Sequence, residues 1–137
     1  MANTFEVSVD VDVPAEQVWQ EVGDPANMGW FPAVVACEVR DGVRYAAMVG
    51  GRTLVERIVS HDDAARSYTY SVLEGTATKL NAHAATLSVR ESDSGSTVLW
   101  RTEAEPEDPA VDLEENLSRV MQKGLDNLKS LLEAGSE

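Results

Sequence analysis

The chain has 137 residues, enough for one domain with its own core, and carries 11 Lys and Arg against 24 Asp and Glu. The net charge of −13 repels phosphate backbones and anionic surfaces, so nucleic acid is not an expected partner, and a solvated acidic surface is the simplest use of these charges. Cys37 is the only cysteine, which rules out an internal disulfide.

Phe5, Val7, Val9, Val11 and Val13 alternate with Glu6, Ser8, Asp10 and Asp12, the period of a half-buried strand. Pro14 suits the first position of a helix, where its missing N–H removes no hydrogen bond. Ala15, Val18, Trp19 and Val22 then fall on one helical face, ending near Gly23. Asp24-Pro25 restarts a second short helix that runs into Trp30-Phe31-Pro32. Six further strands are predicted over about 34–40, 43–49, 53–60, 67–73, 81–92 and 96–105. Asp41-Gly42, Gly50-Gly51, His61-Asp62-Asp63, Glu74-Gly75-Thr76 and Asp93-Ser94-Gly95 separate them. Connections this short imply an antiparallel meander. Glu105-Pro106-Glu107-Asp108-Pro109 breaks the last strand. A long helix follows, capped by Asp108 or Asp112, with Glu114 and Glu115 at its positive end. Leu113, Leu117, Val120, Met121, Gly124, Leu128, Leu131 and Leu132 keep helical spacing. Gly135-Ser136-Glu137 reads as a frayed tail.

The predicted class is α+β: a seven-stranded curved antiparallel sheet wrapped around a long C-terminal helix, with two short helices after the first strand. Met1-Ala2-Asn3-Thr4 leads straight into a strand without a signal-peptide core, and no apolar run approaches the length of a membrane span. A cytoplasmic protein without membrane insertion is expected.

Two charges interrupt this apolar pattern. Arg44 lies in Val43–Val49 and Glu56 in Thr53–Ser60, and the Gly50-Gly51 turn lets the two runs pair as a hairpin. A buried charge is costly unless paired, so the two are either a structural ion pair or the working end of a pocket. Strand parity does not decide between the faces, because the residues on either side of each are almost equally apolar. Parity does turn His83, Ala85, Leu87 and Val89 inward, with Tyr68 and Tyr70, and with Val98, Trp100, Thr102 and Ala104.

Gly124 sits on the buried stripe of the long helix, where glycine costs roughly 1 kcal/mol relative to alanine. Its use there is either to leave space beside the sheet or to allow close approach. Space would make a cavity lined by Trp30, Phe31, Met48, Tyr70 and His83. Trp100, Leu117, Met121 and Gly124 itself would complete the wall.

Several runs carry a family resemblance. They are Trp30-Phe31-Pro32-Ala33-Val34, Gly42-Val43-Arg44, Val55-Glu56-Arg57, Asp62, Arg66, Tyr68-Thr69-Tyr70, Ala84-Ala85-Thr86 and Val98-Leu99-Trp100. With these the chain resembles the polyketide cyclase/dehydrase family of the START-like (SRPBCC) helix-grip superfamily, across nearly its whole length. Within the family it is similar to the branch containing plant lachrymatory factor synthase. The resemblance implies one START-like domain over 1–137. It also implies that Arg44 and Glu56 correspond to the essential arginine and glutamate of that synthase. The family often has an aromatic residue, commonly tyrosine, where this chain has His83, so the substrate does not transfer directly. The imidazole places a group that titrates near neutral pH at that position.

As a catalytic pair, Arg44 would hold a carbonyl or a developing oxyanion, and Glu56 would move a proton. Burial raises the Glu56 pKa and Arg44 lowers it, which favours a base at neutral pH. Tyr70 and His83 would orient the substrate. The competing reading is an ion pair that locks two strands, although such pairs are seldom large net stabilisers. His61, beside Asp62 and Asp63, reads as solvated, and Cys37 as an inert buried thiol. Two histidines without metal-binding spacing give no metal site, no serine has a nucleophile-elbow context, and no cofactor is implied.

Three functions follow. The first is a cofactor-free enzyme of cyclase, dehydratase or isomerase type, acting on a small, mostly apolar molecule. The second is a carrier that uses the same cavity without turnover. The third is a toxin-like or co-chaperone-like interaction protein, for which the net charge disfavours a ribosomal partner. A monomer or homodimer is compatible with each.

Overall fold

The computed structural model describes residues 3–76 and 78–135. Seven strands, β1 (Asn3–Val11), β2 (Val34–Arg40), β3 (Val43–Met48), β4 (Thr53–Asp62), β5 (Ser67–Glu74), β6 (Leu80–Ser92) and β7 (Gly95–Pro106), form one antiparallel sheet. Its order is β1-β7-β6-β5-β4-β3-β2, so the first strand pairs with the last and the rest form the expected meander. Among the described residues two helices accompany the sheet, α1 (Ala15–Val22) and α2 (Leu113–Gly135). This is the helix-grip arrangement predicted above.

The strand β1 ends two residues earlier than its alternation suggests. Its ladder with β7 stops at Val11↔Ser96. There the Ser96 hydroxyl donates to the Val13 carbonyl (2.8 Å), and Val13 stays buried without a strand partner. Pro14 stands just before α1 rather than inside it, and its carbonyl accepts the bond from Val18 N–H (3.1 Å). Ala15, Val18, Trp19 and Val22 are buried, as their spacing requires.

The second short helix does not form. Residues 24–33 make a run of turns, with Asn27 N–H on the Asp24 carbonyl, Phe31 N–H on Met28 and Val34 N–H on Phe31. Asp24 Oδ1 accepts from Ala26 N–H (2.9 Å) and Asn27 Oδ1 from Gly29 N–H (3.3 Å). These local side-chain bonds give the backbone an alternative to the helical ladder, and Pro32 ends any continuation.

Asp112 caps α2 by accepting from Glu115 N–H (3.0 Å). The helix buries Leu113, Met121, Gly124, Leu125 and Leu128. Leu125 was not in the predicted stripe, while Val120 and Leu131 remain 42% and 49% exposed on its flanks. The helix lies against β1 and β7. Its polar side chains bond the β1 backbone: Gln122 Nε2 donates to the Ser8 carbonyl (3.1 Å) and Lys129 Nζ to that of Asp10 (2.7 Å). An open sheet edge is thereby covered on this side. Gly135 closes the helix; Ser136 and Glu137 of the expected tail lie outside the described residues. Among the described residues, no helix is long and apolar enough to cross a membrane.

Candidate functional site

The strands β5 and β6 pair only from Ser67↔Ser88 to Tyr70↔Ala85. Beyond Tyr70 the imidazole of His83 stands in for a ladder partner. Its Nδ1 accepts from Val72 N–H (3.2 Å), and the Ser71 hydroxyl donates to the His83 carbonyl (2.6 Å). A cavity of about 410 Å³ opens here between the sheet and α2. Phe31, Met48, Trp100, Leu117 and Met121 line it, together with Arg44, Glu56, Tyr70 and His83.

Trp30 and Gly124 do not form part of the wall. Trp30 is fully buried behind it, with its indole N–H on the Asn27 carbonyl (3.1 Å). Gly124 serves close approach rather than space: a Cβ there would stand 2.5 Å from Phe31 Cδ1. Phe31 therefore packs directly on the helix backbone, and its ring meets Trp100 edge-on at 5.5 Å. Met28, Arg52, Leu113 and Thr102 also line the cavity. The inward parity of Thr102 foreshadowed its place, whereas Met28 sits in the run of turns, where no period points inward.

Arg44 and Glu56 are direct register partners on β3 and β4 and are 1% and 4% exposed. Arg44 Nε donates to Glu56 Oε1 at 2.8 Å. Arg44 Nη1 faces the Tyr68 hydroxyl (3.0 Å), the Pro25 carbonyl (3.1 Å) and Met28 Sδ (3.5 Å). The guanidinium thus ties the turns of residues 24–33 to the sheet, and it lies 4.7 Å from the centre of the Tyr70 ring. A bulge between Val55 and Glu56 lets two consecutive residues of β4 be buried.

Glu56 Oε2 has no protein hydrogen bond among the described residues, and none of their buried side-chain polar atoms is left unsatisfied, so this oxygen is open to the cavity. Burial pushes the carboxyl pKa up and Arg44 pulls it down by charge and hydrogen bond; the net direction is upward. Burial also raises the Tyr70 hydroxyl above its ordinary range. The Tyr70 oxygen accepts from Trp100 Nε1–H (3.0 Å), which leaves its own proton to donate.

His83 does not offer the near-neutral titration expected of it. Burial lowers its pKa to about 4, so the ring is neutral near pH 7 rather than titrating there. With Nδ1 accepting from Val72, the neutral ring carries its proton on Nε2. His61 is not simply solvated. It lies in β4, its Nε2 is 2.6 Å from the Gly23 carbonyl, and its ring stacks on Trp19 at 5.8 Å. Cys37 is partly buried, with its thiol pKa raised by burial.

A family model described as polyketide cyclase / dehydrase and lipid transport matches residues 2–133. The chain belongs to this family. The match supports the sequence resemblance at the level of the polyketide cyclase/dehydrase family as a whole. An uncharacterized protein from Bacillus thuringiensis is 27% identical, with a TM-score of 0.83 over 96% of this chain and 98% of that one. The protein XoxI from Bacillus cereus is 23% identical, with a TM-score of 0.82 over 99% and 98%. Ginseng major latex-like protein 151 from Panax ginseng, at 14% identity and a TM-score of 0.81 over 95% and 97%, shares the fold. Comparison with curated proteins gives no match.

Proposed function

We propose that the protein binds a small, mostly apolar organic molecule in the cavity between sheet and α2. There it acts as a cofactor-free enzyme of cyclase, dehydratase or isomerase type. The observation that carries this reading is the Glu56 carboxylate. It is buried, its pKa is raised, one oxygen is held by Arg44, and the other is open to the cavity. A base needs a free oxygen, a fixed orientation and a basicity above that of a solvated carboxylate, and Glu56 combines them. It would take a proton from a carbon next to a carbonyl. Tyr70 O–H, with its oxygen already anchored by Trp100, would donate to the oxyanion that develops. His83 Nε2–H is a second donor for orienting the ligand. The lachrymatory-factor-synthase resemblance, which matches an essential Arg–Glu pair to Arg44 and Glu56, supports the same assignment.

The Arg44 bonds to Pro25 and Tyr68 favour a second reading, in which the pair is structural and the protein carries its ligand unchanged. The two readings separate on proton transfer. With 4-phenylbutan-2-one as probe in D₂O, NMR follows deuterium entry at the carbons flanking the carbonyl. The catalytic reading expects exchange above background for the wild type and a loss of about 10²-fold or more in Glu56→Gln, with probe binding retained. Equal exchange by the two proteins would leave the carrier.

A further inference from the structure

Of the residues lining the cavity, Arg52 beside the β3–β4 turn and Asn116 in the first turns of α2 are exposed and Gly75 after β5 is half-buried, which puts the cavity mouth among them. The β3–β4 turn and the segment after β5 are pressed together: Gly75, at φ +97°, is packed so that a Cβ would stand 2.0 Å from the Thr53 carbonyl oxygen. Arg52 is exposed at this rim. It ion-pairs with no carboxylate among the described residues. Arg44 and Glu56 neutralise each other deeper in, and the cavity wall contains no Asp or Lys. The site is therefore net positive within a chain of net charge −13.

We infer that the ligand is an elongated amphiphile with a carboxylate at its outer end, and that Arg52 selects for that carboxylate. This rests on the cavity-binding reading given above. Arg52 precedes Glu56 by four residues of nearly extended chain, about 13 Å at the rise of a strand. An Arg52-bound carboxylate therefore leaves the opposite end of a molecule roughly 10 Å long beside Glu56, with its apolar body against Met48 and Leu54.

The test compares decanoic acid with decan-1-ol, matched in length and differing in charge at pH 7.5, by tryptophan fluorescence titration of wild type, Arg52→Gln and Arg52→Glu. The expected result is a wild-type preference for the acid of about three- to fivefold at low salt, fading as sodium chloride is raised. Arg52→Gln abolishes the preference, Arg52→Glu reverses it, and decan-1-ol affinity is the same in all three. Equal wild-type affinity for both probes, or a preference that survives in Arg52→Glu, overturns the assignment of Arg52 while leaving the cavity reading intact. Failure of both probes to bind wild type overturns both.

Discussion

Arg44 and Glu56 face each other across adjacent strands at 2.8 Å, but their positions are unequal. Arg44 also reaches Tyr68 and the Pro25 carbonyl, whereas Glu56 has Arg44 as its one protein hydrogen-bond partner among the described residues. One member of the pair is fastened into the architecture, and the other is held at a single oxygen.

The two substitutions are therefore expected to differ in stability. Arg44→Met strips the turns of residues 24–33 of their tie and leaves an unpaired buried carboxylate, a loss of about 3–5 kcal/mol. Glu56→Gln keeps an acceptor for Arg44 Nε but leaves the buried guanidinium without its counter-charge; the Tyr68 hydroxyl and Pro25 carbonyl still hold it, so a smaller loss of about 1–3 kcal/mol is expected. Chemical denaturation of both variants decides the matter. Equal losses would show the pair to be symmetric and structural.

Tyr68→Phe isolates the fastening. It deletes the hydroxyl that faces Arg44 Nη1 at 3.0 Å but keeps the ring. A loss of about 1–3 kcal/mol is expected for a buried charged donor deprived of a partner, with ligand affinity unchanged because Tyr68 does not line the cavity. Urea midpoints and a probe titration on the same preparation test this. A variant as stable as wild type would show that Arg44 needs only its remaining partners.

His83 gives a pH dependence of known sign. The unfolded chain takes up a proton at this residue below about 6.5, while the folded protein resists until about 4. Between these values the unfolded state binds more protons, so stability falls as pH falls. The contribution is complete above about 6.5 and is lost on the order of 3 kcal/mol by pH 4. Wild type should therefore lose more stability between pH 7 and pH 4.5 than His83→Gln does. Parallel curves would contradict the neutral, Val72-bonded imidazole.

Gly124→Ala sets helix propensity against packing. Alanine is favoured by roughly 1 kcal/mol within a helix. The added methyl would meet Phe31 at 2.5 and 2.8 Å and push that ring toward the cavity. Overpacking costs about 1–3 kcal/mol, so the net effect is destabilising, and probe affinity falls with the volume. A rise in melting temperature with unaltered affinity would show that Phe31 has room to retreat elsewhere.

The hairpins were legible because their turns are chemical: Asp41-Gly42 and Gly50-Gly51 all adopt positive φ, a conformation these residue types favour. Inward parity held for Tyr70, Ala85, Leu87, Trp100 and Thr102, all of them buried. It was silent for Arg44 and Glu56 because their neighbours on both faces are apolar, and at Glu56 a bulge buries Val55 as well. The expected second helix failed where Asp24 and Asn27 bond their own backbone, a competition that helical spacing does not register. Arg52 escaped notice because an exposed arginine beside a turn has no pattern; only the folded mouth gives it a position.

The parting of β5 from β6 after Tyr70 has a consequence for how this cavity could change. The ring that satisfies the stranded Val72 N–H is also a polar element of the cavity wall. Backbone integrity and wall chemistry are therefore vested in one side chain. A replacement at position 83 without a well-placed acceptor would have to let the two strands zip further together or leave a donor dry. Ligand preference on that wall is thus inherited together with the shape of the sheet, and the more freely adjustable parts of the site are those, such as the rim, that owe the backbone nothing.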